Sequence, residues 1–184
     1  MGSRVVRSGA DGRDRVACIA AARQAIKPGG PRSEDLFWDY ADATWYFGFA
    51  VFKEPFEDVK VRQAFAHAVD RTALSVAGLN GIYPPQPRNL RPGFPCGGDE
   101  EWQPAFDPEA AKALLAESSY GGPEGLPPVT IVISESGGAT ALGTWGRVAT
   151  IIQQQLQQNL GVNVELVRQV FNSVQEQVDY INSI

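Results

Sequence analysis

The chain has 184 residues, of which 43% are apolar and 20% are charged, and its formal net charge is -5. This size suits one domain with a hydrophobic core, and the composition is typical of a folded protein rather than a disordered one. Net acidity argues against nucleic acid as a partner, because phosphate binding requires clustered Lys and Arg. No apolar run approaches the roughly 18 residues that a membrane-spanning helix needs.

Positive charge is concentrated at the amino terminus. Residues 1–33 hold seven Lys or Arg against two Asp, whereas residues 34–184 hold nine bases against nineteen acids. We therefore predict a basic N-terminal segment over 1–33 and a folded domain over 34–184. A short helix is predicted over 14–27, and no secretory signal is recognised, because the apolar run Val16–Ala22 is short and internal.

Neither a metal nor a cofactor is predicted. Cys18 and Cys96 are the only cysteines, and His67 is the only histidine. Structural zinc sites use four Cys or His ligands at short paired spacings, which this sequence lacks. Whether the two cysteines form a disulfide stays open, because sequence does not give their separation in space.

An aromatic run and a helix come next in chain order. Trp45–Phe52 has the composition of a buried strand. Asp58 suits a helix N-cap, and the apolar residues after it recur at helical spacing. This predicted buried face consists of Val61, Ala64, Phe65, Ala68 and Val69. The predicted exposed face consists of Lys60, Arg62, Gln63, Asp70 and Arg71.

A long irregular region over Gly78–Pro104 separates this helix from the next. Its Pro, Gly and Asn content predicts a loop, and its aromatic residues favour a loop packed on the domain surface. Asp107 is a good N-cap and Pro108 suits the first helical position, so a helix is predicted from there up to Gly121. Its inner face is predicted to carry Ala111, Leu114 and Leu115.

The last third has the pattern of a strand, a helix and a second strand. Strands are predicted over Val129–Ile133 and Val162–Val167, with a helix over about 143–160 followed by Gly161 as a left-handed cap. Two strands joined by one helix favour a parallel, right-handed crossover. A final helix is predicted over Phe171–Ile184. The fold class is therefore α/β (α+β), with a βαβ unit near the C-terminus.

Several of these blocks resemble, in the same order, the family 5 extracellular solute-binding proteins, the oligopeptide- and dipeptide-binding components of ABC importers. Glu54–Arg71 resembles the family segment PFxDxxVRxAxxxAxDR, and Trp45–Phe52 resembles its YxGFN strand. Phe106–Leu115 resembles the YDPxxAxxLL helix, and Ile151–Leu166 resembles the QxxLxxxLGIxVEL element. We call Glu54–Arg71 the signature segment below.

The resemblance implies a single lobe of a periplasmic-binding-protein-like fold, a mixed sheet flanked by helices. The matching blocks cover about residues 44–176, and members of the family are far longer and clamp a ligand between two lobes. We therefore expect an incomplete carboxy-terminal lobe, whose partners would be the missing N-terminal lobe and the ABC permease subunits. The implied location is periplasmic or extracellular and membrane-associated, with the signal or lipid anchor outside this chain.

The implied ligand site is the loop after the first predicted strand, which faces the cleft in the family. Its candidate ligand-binding residues are Ser134, Glu135, Ser136 and Thr140. Glycine-rich backbone ahead of a helix N-terminus would present N–H donors to a carboxylate or peptide carbonyl, although an ordinary capping turn has the same residues. Phe171 is a further candidate, because the family often has Trp near the cleft at this position; packing in the core is its alternative.

The predicted function is binding of a peptide or related solute for an ABC transporter. Catalysis is not predicted, because no nucleophile with a base, metal motif or paired carboxylates is recognisable, and GxSxG, GxxxxGK[ST] and HExxH are absent. The alternatives are a small α/β enzyme or regulatory domain, and a truncated product without its own function. The solute is not identified, because one scaffold serves peptides, nickel complexes, opines and oligosaccharides in this family.

Overall fold

The computed structural model describes residues 31, 46–79, 81, 83, 85–86, 103–134 and 139–183, with residues 139–144 described by their backbone alone. Within these ranges the chain forms five α-helices and two strands. The helices are α1 Val59–His67, α2 Arg71–Leu79, α3 Pro108–Ala116, α4 Ala139–Leu160 and α5 Val174–Ser183. The strands are β1 Val129–Ser134 and β2 Val164–Gln169.

The two strands and α4 form the predicted βαβ unit. β1 and β2 pair in parallel, with Val129 opposite Val164 and Ser134 opposite Gln169. β2 begins two residues later than the sequence predicts. Gly161 ends α4 in a left-handed conformation, with φ +73°, and its N–H donates to Gln157 O at 3.0 Å. The residues that follow are needed to leave the helix, which accounts for the later start of β2. The α/β class is confirmed, and the described strands are parallel.

The signature segment forms one helix and begins a second. Asp58 is the N-cap of α1, since its Oδ1 accepts from the backbone N–H of Lys60 at 2.7 Å. The predicted inner face is confirmed for Val61 and Ala64, which are fully buried. The predicted continuation to Val69 is wrong, because α1 ends at His67.

α2 was not predicted from the sequence. It begins directly after Asp70, whose Oδ1 accepts from the N–H of Ala73 at 2.9 Å and so caps the new helix. Two amides of α4 satisfy the backbone in the gap between α1 and α2. Asn159 Nδ2 donates to Ala68 O at 2.8 Å, and Gln155 Oε1 accepts from Asp70 N–H at 2.8 Å. The break between α1 and α2 is therefore stabilised by specific tertiary hydrogen bonds to α4, which helical periodicity does not reveal.

α3 has the predicted start and an earlier end. Asp107 accepts from the N–H groups of Glu109 and Ala110 at 3.1 and 3.0 Å, and Pro108 is the first helical residue. The helix stops at Ala116, well before Gly121. Ser118 accounts for the difference, because its hydroxyl donates to Leu115 O at 2.7 Å in competition with the helical pattern.

One apolar core joins the helices to the sheet. α1 packs on α3, α3 packs on α4, and α4 covers β1 and β2. The buried cluster consists of Val61, Ala64, Phe65, Ala68, Ala111, Leu115, Val129, Leu156, Leu160, Val162 and Val164. Its members come from α1, α3, α4 and both strands, so the signature segment and the βαβ unit fold as parts of one core.

The strand predicted over Trp45–Phe52 is wrong for the residues described there. Tyr46–Ala50 have no regular structure, and the backbone bonds that follow are local: Val51 N–H donates to Phe49 O and Lys53 N–H to Ala50 O, both at 2.9 Å. A strand needs a hydrogen-bonded neighbour, and among the described residues β1 and β2 pair only with each other.

Other predictions fall on parts of the chain that the structure does not describe. These include the segment 1–33 apart from Pro31, the helix over 14–27, both cysteines, and most of the loop over Gly78–Pro104. Gly78 itself lies in α2. The final helix is formed over Val174–Ser183, shorter than predicted.

Candidate functional site

The carboxyl ends of both strands meet at one edge of the sheet. β1 ends at Ser134 and β2 ends at Gln169, and these two residues are register partners. Four residues separate Ser134 from Ala139, where α4 begins, a helix of 22 residues. Parallel strands place the loops after them side by side, so the loop after β1 and the segment after β2 share this edge. We call it the carboxyl edge.

The structure places three of the five candidate ligand residues near this edge. Ser134 is the last residue of β1 and is half-buried, and Thr140 is the second residue of α4. Phe171 follows β2 by two residues, is 5% exposed and has its ring centre 5.6 Å from that of Tyr180. Glu135 and Ser136 are not among the described residues.

The same edge carries an arginine that the sequence reasoning did not select. Arg168 is exposed and stands opposite Ile133, one pair before Ser134. Its guanidinium lies against Gly146 of α4, where a methyl group would be only 2.9 Å from Nη2. Strand alternation was the sequence signal that could have indicated Arg168, because it places Arg168 on the same face of β2 as Val164 and Leu166.

The polar residues of the signature segment bind other parts of the chain. Arg62 Nη1 donates to Phe56 O at 2.6 Å and to Glu57 O at 3.0 Å, which holds the turn before α1. Arg71 Nη1 donates to Pro104 O at 2.8 Å, and its Nη2 donates to Ala66 O at 3.2 Å. These contacts give the two arginines a structural role in the fold.

Asp58 also links α1 to the end of α3. Its Oδ2 accepts from both the backbone N–H and the hydroxyl of Ser119, each at 2.8 Å. These bonds, with the N–H of Ser119 as the largest cause, lower the pKa of Asp58 to about 2. Lys60 adds an ion pair to Glu117 at 3.1 Å on the same side. The start of the signature helix is therefore fixed to α3 by charge-assisted hydrogen bonds.

Two shallow clefts among the described residues lie away from the candidate residues. One, of about 210 Å³, is lined by residues around the start of α2, including Arg71 and Phe106. The other, of about 270 Å³, runs along the glutamine side chains of α4 beside Asn163. In the second, Gln153 Nε2 already donates to Val164 O at 2.6 Å. Neither cleft includes Ser134 or Phe171, so neither supports the predicted site.

Two further properties concern metals and membranes. No three His, Cys, Asp or Glu side chains in the described ranges come together as a metal site requires. None of the helices in that part of the chain combines the length and apolar character needed to cross a membrane.

Comparison with known proteins gives a consistent result. The family model described as bacterial extracellular solute-binding proteins, family 5 Middle, matches residues 20–182. Heme-binding protein A from Haemophilus influenzae is 41% identical over 75 residues, which is 41% of this chain and 14% of that protein. The dipeptide-binding protein of Escherichia coli is 40% identical over 74 residues, 40% of this chain and 14% of that protein.

A solved structure extends the match to the fold. A periplasmic oligopeptide-binding protein of an oligopeptide ABC transporter from Borrelia burgdorferi, OppAIV, is 29% identical with a TM-score of 0.56. The match covers 72% of this chain and 24% of that protein. In all three comparisons the matched part is a quarter or less of the relative's own length.

Proposed function

Because this chain belongs to the bacterial extracellular solute-binding proteins of family 5, we propose that it forms part of a ligand-binding lobe that delivers peptides or related solutes to an ABC transporter. The observation that carries the proposal is the family match over residues 20–182. Family 5 proteins are transport binding proteins and not enzymes, so the alternative of a small α/β enzyme or regulatory domain is not favoured.

The proposed ligand site is the carboxyl edge. Ser134, Glu135, Ser136 and Thr140 are its proposed ligand-binding residues, with Phe171 beside them. Open α/β folds bind ligands beyond the carboxyl ends of their strands, and the N–H groups at the start of a long helix favour a carboxylate or carbonyl oxygen. Because Phe171 packs on Tyr180, its contact with a solute requires the ring to turn away from that residue.

A second lobe is part of the proposal. Tyr46 is 82% exposed and Phe52 is 58% exposed, and they belong to a run of aromatic residues ahead of the signature helix. Several exposed apolar side chains within one short segment are often covered by another protein surface. The relatives are about four to seven times longer than the segments that match. Both observations support an N-terminal lobe of the same protein as partner to this carboxy-terminal one.

The proposed mechanism is hinged closure. A solute held at the carboxyl edge would also contact the second lobe, and closure would bury it between them. The solute shifts the equilibrium toward the closed form only by its greater affinity for that form. The closed form would then be recognised by the ABC permease subunits, in the periplasm or at the outer surface of the cell membrane.

Calorimetry tests this mechanism. We expect the 184-residue chain to bind di- to pentapeptides no more tightly than about 1 mM, because half of the burial and the closure step are missing. The product of a longer reading frame that includes this chain should bind a peptide in the micromolar range. Micromolar binding by the short chain would contradict the need for a second lobe. Absence of peptide binding by the long product would contradict the peptide proposal.

A genomic observation separates the proposal from its alternative. We expect the coding sequence to continue beyond the 184 residues and to lie beside genes for two permease and two ATPase subunits. A separate reading frame of this length without such neighbours would favour the small enzyme or regulatory domain.

A further inference from the structure

The last helix of the described chain, α5, is specified by its own sequence. Ser173 precedes it, and Ser173 Oγ accepts from the N–H of Glu176 at 3.1 Å, as an N-cap does. Glu176 Oε2 in turn accepts from the N–H of Asn172 at 2.8 Å, an arrangement similar to a capping box. Gln175 Nε2 donates to Asp179 Oδ1 at 2.8 Å. These polar groups therefore bond within α5 and its cap.

The apolar residues of α5 lie on one side of the helix. Val174, Val178 and Ile181 are spaced i, i+4 and i+7, which forms a single stripe. Val174 is 78% exposed, Val178 is 44% exposed and Ile181 is half-buried. Tyr180, whose ring centre lies 5.6 Å from that of Phe171, belongs to a different side of α5 by its spacing. We call Val174, Val178 and Ile181 the α5 stripe.

α5 also differs from the other helices in its packing. Each of α1 to α4 packs extensively against at least one other described element, whereas α5 packs extensively against none of them and has no buried residue. At its end, Lys53 Nζ donates to Asn182 O at 3.0 Å. A helix of 10 residues is marginal in water by itself, and helices in proteins are held mainly by packing of an apolar face. We therefore expect the α5 stripe to pack on a surface outside the described residues.

The order of the elements indicates where this surface comes from. α5 begins four residues after β2 ends, just as α4 begins four residues after β1 ends. α4 packs on the strand that precedes it and on the strand that follows it. Consecutive elements are usually adjacent in space and joined by short connections. The relatives are several times longer than the segments that match, so a protein of this family has polypeptide available for a further element after α5.

We propose that the α5 stripe is an intramolecular docking surface, and that its occupant is the polypeptide that follows Ile184 in the longer protein. α5 contains Glu176 and Asp179 and no Lys or Arg, so an apolar segment with neutral or basic flanks fits it. The inference shares with the proposed function only the premise that the chain is part of a longer protein. It does not assume that a peptide binds.

Hydrogen exchange followed by mass spectrometry tests the inference. The 184-residue chain is compared with the product of the longer reading frame, both without peptide, and protection of the α5 amides is expressed relative to that of the α4 amides. We expect this relative protection to be at least about tenfold greater in the longer product, the effect of burying about one valine side chain.

A matched pair of variants tests the stripe itself. Val178→Thr keeps the shape and the β-branching and replaces a methyl group by a hydroxyl group. In the longer product it should lower the protection of α5 about tenfold, because the hydroxyl group is buried against an apolar surface. In the 184-residue chain the change should be less than about twofold, because the side chain is exposed there. Val76→Thr is the control, since Val76 is a 64% exposed residue of α2; it should change the protection of α2 less than about twofold in both products.

Each outcome decides the inference. Equal relative protection of α5 in the two products, or unchanged protection in Val178→Thr of the longer product, would show that it is wrong. Protection that appears only after a peptide is added would assign the stripe to the second lobe, and protection that rises with the concentration of the short chain would assign it to a second copy. Either result overturns the inference. Peptide binding is measured separately, so its absence would contradict the proposed function and leave the docking of α5 standing.

Discussion

Leu115 offers a quantitative test of the core, because the adjacent Leu114 is its matched control. Leu115 is 1% exposed within the buried cluster, whereas Leu114 is partly buried at its border. Changing Leu115 to Ala removes three carbon atoms, which costs about 2.4 kcal/mol at about 0.8 kcal/mol per buried CH₂. The cavity left behind raises the expected cost to about 3–4 kcal/mol. Leu114→Ala should cost about 1 kcal/mol, because solvent already reaches part of that side chain.

Urea unfolding followed by circular dichroism measures both variants. With a slope of about 2 kcal/mol per M, Leu115→Ala should lower the midpoint by about 1.5–2 M and Leu114→Ala by about 0.5 M. The same substitution at neighbouring positions of one helix changes helix propensity equally, so the difference reports burial. Equal shifts, or a larger shift for Leu114→Ala, would contradict the orientation of α3. If Leu115→Ala does not fold, the Leu→Val pair provides the same comparison.

Two more predictions concern caps. The pKa of Asp58 is about 2 in the folded chain and about 4 in an unfolded chain, so its stabilising effect is complete above about pH 4 and is lost as the pH falls toward 2. Asp58→Asn should therefore lower the urea midpoint at pH 6 and have a smaller effect at pH 2. An equal effect at both pH values would contradict the Ser119 bonds. Gly161→Ala should lower the free energy of unfolding by about 1 kcal/mol, because φ at this position is +73°, and Gly161→Asn should lower it less. An unchanged urea midpoint for Gly161→Ala would refute the left-handed cap.

Features encoded by neighbouring residues could be predicted from the sequence. The N-caps Asp58 and Asp107 act on donors two or three residues away, and Gly161 ends α4 as its spacing indicates. The parallel pairing of β1 and β2 followed from the single helical connection between them. In each case the signal and the structure it specifies lie in the same stretch of chain.

Features that depend on distant partners were missed. The division between α1 and α2 relies on Gln155 and Asn159, which are more than 80 residues away in sequence. Trp45–Phe52 has strand-like composition but lacks a described strand with which to pair. At the candidate site the sequence indicated the carboxyl edge through Ser134. The contact between Arg168 and Gly146 joins two different elements and could be recognised only in the structure.

The polar side chains of the signature segment form their hydrogen bonds within the chain itself. Arg62, Arg71 and Asp58 hold carbonyls, N–H groups and a hydroxyl of the polypeptide itself. Relatives named for heme and for dipeptides are 41% and 40% identical to this chain, over 75 and 74 residues. A motif made of such residues therefore identifies the scaffold and carries no information about the solute. Searches that classify importers by solute need residues outside this motif.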